Sequence, residues 1–247
     1  MKGRKIKLGA VSVIHQIINL EDLKSECKKK DATITQYLSA CLIYAIYQEN
    51  AKKSNKEKPI KICIPVNLKK YFSSQTMSNF FSYITLEAEM KKDKLNNFDK
   101  ILKFVKKEFE EKLKQEEIVK TMSGNVKLGT HPFIKMIPLV LKKPIVRLSY
   151  LEIRKYTTIT YSNIGRIGII GKYKDYIKYF LLLIAPEQIE KIKCSSCTFE
   201  NEVVFTFTSI LNNNKIEKRF YEFLKKKGIR VNIESNGVLD DISTEIK

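Results

Sequence analysis

Two apolar segments that end in small or amide-bearing residues constrain the fold of this chain more than any other feature. Residues 62–72 and 158–165 each begin with β-branched and apolar residues, and they then reach Asn67 in the first segment and Ser162 and Asn163 in the second. Short apolar runs of this composition are typical of buried β-strands. The amide and hydroxyl groups that follow predict a polar site at the ends of these strands, in addition to a core.

The order of elements along the chain predicts an α/β fold. Strands are expected at residues 11–18, 59–66, 77–89, 156–162, 177–185, 189–199, 202–209 and 229–233. Helices are expected at 19–30, 33–50, 98–120, 121–130, 133–150 and 212–227, with the fifth divided by Pro138 and Pro144. Helices and strands in this order form an α+β sandwich, in which helices cover a mixed, largely antiparallel sheet.

Length and hydropathy predict one domain in a cytoplasmic protein. The longest apolar run, residues 179–186, is far shorter than the roughly 18 residues that cross a bilayer. The basic lead-in, residues 1–10, is not followed by the apolar stretch of a signal peptide. We expect the domain to occupy residues 1–234 and residues 235–247 to form a polar, disordered tail.

The net charge of +19 raises nucleic acid as a partner. Only six of the 46 basic residues are arginine, however, and specific reading of bases favours the bidentate guanidinium group. The excess of lysine instead resembles a composition bias spread over solvated helix faces. We therefore expect no specific nucleic-acid partner, while a basic surface remains compatible with an anionic small molecule such as coenzyme A.

The five cysteines predict neither a disulfide framework nor a metal site. Their number is odd, and Cys41 and Cys63 lie in apolar stretches typical of a core. Cys194 and Cys197 have the spacing of half a zinc site, but no second pair follows them. In a strand, this spacing also directs the two sulfur atoms to opposite faces.

Three short motifs carry a family resemblance. In order along the chain they are Pro65-Val66-Asn67-Leu68, Asn79-Phe80-Phe81 and Ser162-Asn163-Ile164-Gly165. Together they resemble the C-terminal half of alcohol acetyltransferases and condensation-domain proteins of the chloramphenicol acetyltransferase superfamily. The resemblance extends over residues 11–233 and implies that the chain is one lobe, the C-terminal one, of a two-lobed fold.

The resemblance also implies where a site lies. In that superfamily a channel runs between the two lobes, and the Ser-Asn-x-Gly strand lies beside it. This places Tyr161, Ser162 and Asn163 as candidates to line the channel, and Gly165 as the position where backbone or ligand comes close. Asn67 and Asn79 are assigned supporting roles near the lobe interface. The alternative is that Ser162 and Asn163 only cap a strand end and its turn.

The histidine that acts as general base in this superfamily is missing. Its His-His-x-x-x-Asp-Gly motif is absent, and the only histidines, His15 and His131, are neither doubled nor followed by Asp-Gly. Other nucleophile and phosphate-binding motifs are also absent from the sequence. We therefore assign no catalytic residue, no metal ligand and no permanently bound cofactor.

The interpretation that follows is half of an acyltransferase. The resemblance implies transfer of an acyl group from an acyl-CoA or acyl-carrier thioester, as co-substrate, to a small-molecule alcohol or amine. A complementary N-terminal lobe, or self-association, is the expected partner. Two alternatives remain open from the residues, namely a non-catalytic remnant or interaction module of the same fold and a basic nucleic-acid-binding protein.

Overall fold

Seven strands form a single mixed sheet in the computed structural model, which describes residues 4–6, 9–50, 59–73, 80–89, 96–155, 157–169 and 171–239. The strands are β1 (Ser12–Asn19), β2 (Ile60–Asn67), β3 (Phe81–Ala88), β4 (Ile159–Arg166), β5 (Ile192–Phe199), β6 (Glu202–Ser209) and β7 (Val231–Ser235). Their order is β3-β2-β4-β5-β6-β1-β7. The pairs β2–β4 and β4–β5 are parallel and the other four are antiparallel. The expected mixed, largely antiparallel sheet is confirmed.

Helices flank this sheet, and those that contribute side chains to the core cover one of its faces. They are α1 (Leu20–Lys29), α2 (Ile34–Asn50), α3 (Phe98–Lys112), α4 (Gln115–Thr130), α5 (Pro132–Met136), α6 (Leu139–Lys155) and α7 (Lys215–Lys226). Local signals fix several ends. The Asn19 side chain accepts a hydrogen bond from the Asp22 backbone N–H at 3.1 Å and begins α1, and Gly228 after α7 has a φ of +77°.

Helix α2 is the centre of the core. It is buried on almost every side because the sheet lies beneath it and α3 and α7 flank it. Tyr37 meets Phe98 of α3 edge to face, with ring centroids 5.3 Å apart. Phe220 of α7 stacks on Phe205 of β6 at 4.5 Å. Each fully buried aromatic side chain contributes about 2–3 kcal/mol through the apolar area it removes from water.

The β5–β6 hairpin has the short turn that the sequence predicts. Phe199 pairs with Glu202, so only Glu200 and Asn201 form the loop. Glu200 adopts a φ of +48°, in the left-handed region that tight hairpin turns require. The long ladder that follows places side chains of β5 and β6 in fixed rows across the sheet.

One of the two edge strands, β3, has an outer edge that pairs with no other described strand and is partly protected by a lysine. The Lys112 ammonium at the end of α3 donates a hydrogen bond to the backbone carbonyl of Thr85 and forms an ion pair with Glu108 at 2.7 Å. The unpaired edge of a sheet offers carbonyl and amide groups to any passing strand. The Lys112 ammonium binds one of those carbonyls, that of Thr85.

The prediction of a strand at residues 177–185 is wrong. The segment is extended, but it joins no ladder among the described residues. It lies flat on the face of the sheet opposite the helices, where the carbonyls of Phe180, Leu182 and Ile184 accept hydrogen bonds from sheet side chains. We call residues 177–186 the strap. From Phe180 to Ile184 the even-numbered side chains are half-buried while Leu181 and Leu183 are exposed, which gives this part the alternation of a strand without a strand neighbour.

The helix boundaries between residues 98 and 155 also differ from expectation. The expected helix 98–120 ends at Lys112, where the Leu113 backbone N–H still bonds to Phe109, and α4 begins at Gln115. The apolar pattern continues across this break and therefore does not reveal it. The division at Pro138 is confirmed, whereas Pro144 lies inside α6. No helix in the described part of the chain is long and apolar enough to cross a membrane.

Candidate functional site

Tyr161 lies on the helix side of β4 and is fully buried. Its hydroxyl shares a hydrogen bond of 2.8 Å with Ser196 of the neighbouring strand, and its ring packs on Phe205 at 5.1 Å. Burial raises the pKa of the Tyr161 phenol well above its usual range, so the hydroxyl stays protonated. The Tyr161 side chain therefore supports β4 from the side of the sheet that the helices cover.

Ser162 faces the opposite side, away from the helices, because successive side chains of a strand alternate. We call this side the open face. The strand registers place Ser162, Ser195, Thr206, His15 and Glu234 in one row across β4, β5, β6, β1 and β7. Polar groups from distant parts of the sequence therefore meet on one surface. Sequence reasoning missed Ser195 and Thr206, although the alternate Ser and Thr positions in β5 and β6 are a signal that points to them.

Asn163 connects β4 to the start of α2. Its Nδ2 donates to the Thr35 hydroxyl at 2.9 Å, and its Oδ1 accepts from the Gly165 backbone N–H at 2.8 Å. The ladder with β5 shifts register between Asn163 and Arg166, and Gly165 at the bulge has a φ of +80°. Both polar ends of the Asn163 amide are thus used within the fold. The prediction that this strand ends at Ser162 is therefore wrong, because β4 continues through a bulge with a glycine as far as Arg166.

The supporting residues have different outcomes. The Asn67 side chain accepts from the Lys69 backbone N–H at 3.0 Å and begins the short 3-10 turn Leu68–Lys70, as the turn chemistry predicts. Asn79 lies outside the described residues. Cys41 is buried as expected, but Cys63 is only half-buried because it lies on the open face of β2.

His15 is the histidine that the sheet places on the open face. Its Nδ1 is 2.9 Å from the Thr206 hydroxyl, and its cross-strand neighbour on β7 is Glu234. Burial lowers the pKa of the imidazole, while Glu234 opposes that shift. His15 is three strands from Ser162, or about 14 Å at the usual strand spacing. At that distance it cannot take a proton from a group bound beside Ser162 or Asn163.

Side chains of the open face hold the strap, and two of them, Ser195 and Glu234, belong to the row that contains Ser162. The Ser195 hydroxyl donates to the Leu182 carbonyl, Thr208 donates to Ile184, and the Cys197 thiol donates to Phe180 at 3.1 Å. The Tyr179 hydroxyl of the strap bonds to Glu234. These side chains therefore hold the strap on the open face, and Ser162 lies at one end of the row.

The described cysteines form no metal site. Cys194 belongs to the helix-side core and Cys197 to the small cluster beneath the strap, as the three-residue spacing predicts. Burial raises the pKa of both thiols, so neither is poised to form a thiolate ligand. Within the described residues, no group of three or more His, Cys, Asp or Glu side chains is arranged to hold a metal ion.

A family comparison adds to this geometry. The model of the alcohol acetyltransferase family matches residues 10–128. The wax ester synthase/diacylglycerol acyltransferase from Marinobacter aquaeolei VT8 matches 92% of the chain with a TM-score of 0.53 and 14% identity. The chain has the chloramphenicol acetyltransferase-like fold. No curated protein sequence matches it.

Two further acyltransferase-like structures agree with that fold. F. sporotrichioides TRI101, solved with coenzyme A and T-2, matches 92% of the chain at a TM-score of 0.61 and 9% identity. The trichothecene 15-O-acetyltransferase TRI3 from Fusarium sporotrichioides matches 92% at 0.54 and 11%. The share of those three proteins that is covered is 51%, 53% and 48%. The chain thus spans about half the length of the solved proteins that it matches.

The structure also contains a cleft, and this cleft lies apart from the candidate residues of β4. A cleft of about 250 Å³ lies between β3 and the α3–α4 junction, lined in part by Tyr83, Lys112 and Glu117. Ser162 and Asn163 are not among its lining residues. The candidate site on β4 is therefore a half-buried surface outside this cleft.

Proposed function

We propose that this chain is the C-terminal lobe of a two-lobed acyltransferase and forms one wall of its channel. The observation that carries the proposal is the match of nearly the whole chain to about half of several acyltransferases, at TM-scores above 0.5. A single lobe with this fold forms only one wall of a channel that lies between two lobes. The proposed reaction is transfer of an acyl group from a coenzyme A or carrier thioester to an alcohol or amine.

The residues take different parts in this proposal. Ser162, on the open face, and the backbone at Gly165 line the channel near the reacting centre. Asn163 holds β4 against α2, and Tyr161 supports β4 from within the core. The general base comes from the other lobe, because His15 is about 14 Å away and hydrogen bonded to Thr206. The positive charge of the chain attracts the anionic thioester.

Exposed apolar side chains on the open side support a covering lobe. Ile164, Leu181, Leu183 and Tyr176 are all exposed there or on the strap and the turn before it. Surfaces of this kind commonly mark contacts with another protein surface. The complementary lobe, supplied by the same polypeptide or by another chain, would cover them.

A reconstitution experiment tests the proposal. The purified chain is assayed for release of free coenzyme A from acetyl-CoA with a panel of alcohols and amines, alone and together with a separately produced lobe that carries His-His-x-x-x-Asp-Gly. We expect no turnover from the chain alone and turnover from the pair. Ser162→Ala should lower turnover of the pair, whereas Ser235→Ala, at the exposed end of β7, should not. Acylation by the chain alone would overturn the proposal.

A non-catalytic interaction module is the second candidate. It is favoured by the missing histidine motif and by the engagement of His15 with Thr206. This candidate predicts that the complementary lobe binds and that the complex still has no turnover. Calorimetry of lobe association beside the coenzyme A assay separates the two functions.

A further inference from the structure

The segment between Glu117 and Glu152 has an unusual charge pattern. These 34 residues contain no Asp or Glu, although the whole chain has 27 acidic residues. They contain six basic residues, which are Lys120, Lys127, Lys135, Lys142, Lys143 and Arg147. In the preceding helix, α3, lysines are instead interspersed with carboxylates, as in the Lys107–Glu111 pair. From residue 118 to residue 151, which covers most of α4, all of α5 and most of α6, the only charged side chains are therefore basic.

The same segment exposes large apolar side chains. Val140 is 81% exposed and Met136 80%, and four further α6 residues, Leu139, Leu141, Val146 and Leu148, are between 59% and 64% exposed. Between Leu139 and Leu148 every side chain is exposed except that of Lys142, which is half-buried. Helices of a soluble domain usually bury one apolar stripe against the core. This part of α6 buries none.

Basic and apolar side chains together on an exposed helix fit the surface of an anionic bilayer. The apolar groups enter the boundary between headgroups and acyl chains, and the cations remain among the phosphates. Each Lys or Arg near such a surface strengthens binding, and nearby carboxylates would oppose it. No helix in the described part of the chain is fit to span the bilayer, so α6 would lie along the surface.

We propose that α5 and α6 dock the protein on an anionic phospholipid surface. The docking residues are the apolar Val140, Leu141 and Leu148 together with Lys143 and Arg147. None of these docking residues is assigned to the proposed channel wall, so the proposal does not depend on acyltransferase activity. A protein partner with an acidic face is the competing occupant, and the following test distinguishes it.

Flotation of the full chain with vesicles provides the test. We expect the protein to float with vesicles of 70% phosphatidylcholine and 30% phosphatidylserine at 0.1 M salt, and to remain behind with pure phosphatidylcholine. Lys143→Gln/Arg147→Gln should weaken partitioning about tenfold or more. Lys225→Gln/Lys226→Gln removes the same charge from exposed positions of α7 and is the matched control. Circular dichroism verifies that each variant is folded.

A second variant tests the apolar contribution. Leu141→Ser/Leu148→Ser keeps every charge and should still reduce flotation about tenfold, since apolar insertion is part of the binding. Equal loss in the α7 control would show that only the overall charge of +19 matters, and it would overturn the proposal. Absence of binding to the anionic vesicles would also overturn it. So would α6 variants that float normally but fail to bind a protein lobe.

Discussion

The Asn163 Nδ2 donates a hydrogen bond to the Thr35 hydroxyl, over 2.9 Å and 128 positions of sequence. The contact joins the middle of β4 to the first turn of the core helix α2. Because the other end of the same amide bonds to the Gly165 backbone, Asn163 fixes both the bulge and its distance from the helix. The proposed channel wall therefore depends on a helix on the other side of the sheet.

Removing the Asn163 amide should destabilise the fold. We expect Asn163→Ala to lower the free energy of unfolding by about 1–2 kcal/mol, as for a part-buried hydrogen bond, and to show coupling of about 0.5–1.5 kcal/mol with Thr35→Ala in a double-mutant cycle. Urea unfolding gives both quantities. Asn67→Ala, which removes a single bond at an exposed turn, is the control. Additive effects at positions 35 and 163 would contradict the contact.

The buried pair Tyr161 and Ser196 predicts a rescue. Tyr161→Phe leaves the Ser196 hydroxyl without its partner and should cost about 1–2 kcal/mol. Replacing both residues, with Tyr161→Phe and Ser196→Ala, removes both polar groups, so we expect the double variant to be no less stable than Tyr161→Phe alone. Thermal and urea unfolding measure the three variants. A double variant that loses the sum of the two single effects would refute this account.

Glu217 should make stability depend on pH. The carboxyl group is buried in the first turn of α7, and this burial raises its pKa from 4.5 to about 7, against the backbone N–H groups that favour the charged form. Because the folded state holds the proton more tightly than the unfolded state, stability is lost as pH rises from about 4.5 through 7. The full shift corresponds to about 3 kcal/mol.

Glu217→Gln is the variant that isolates this effect. Its stability relative to the parent protein should rise between pH 4.5 and pH 8 by up to about 3 kcal/mol, since glutamine carries no proton to lose. Urea unfolding at several pH values measures the difference. A difference that does not change with pH would mean that Glu217 titrates normally in the folded protein.

The strap should be released by single hydroxyl deletions beneath it. Ser195→Ala removes the donor to the Leu182 carbonyl, so trypsin should cleave after Lys178 about fivefold faster, in line with the loss of about 1 kcal/mol of local stability. Ser196→Ala changes the next residue of the same strand, on the opposite face. That control should not increase cleavage at Lys178. Equal cleavage in the two variants would show that the strap opens only with global unfolding.

Much of the fold could be predicted because its signals are local. Asn19 caps α1, Gly228 follows α7, and Glu200 with Asn201 forms the hairpin turn, each through groups within a few residues. The strap could not be distinguished from a strand in the same way. An alternating pattern shows only that one face of a segment is covered. The sheet covers one face of the strap, so the strap has the same pattern as a strand that packs one face against another layer.

The candidate site could be predicted only in part. Ser162 and Asn163 are recognisable as polar residues after an apolar run, but the row that joins Ser162 to Ser195, Thr206 and His15 requires the register of four strands. The partner of Asn163 is also remote, since Thr35 precedes it by 128 positions. Half-burial of Cys63 has the same origin, because its face of β2 is set by the sheet and not by its apolar neighbours.

The lysine that caps the carbonyl of Thr85 has a consequence for assembly. A strand from another copy could extend the sheet beyond β3 only by displacing the Lys112 ammonium, which Glu108 also holds in place. Growth into a continuous fibre-like sheet is therefore disfavoured at this end. At the β3 end of the sheet, copies or lobes of this protein would have to meet through surfaces of side chains, where shape and charge select the partner.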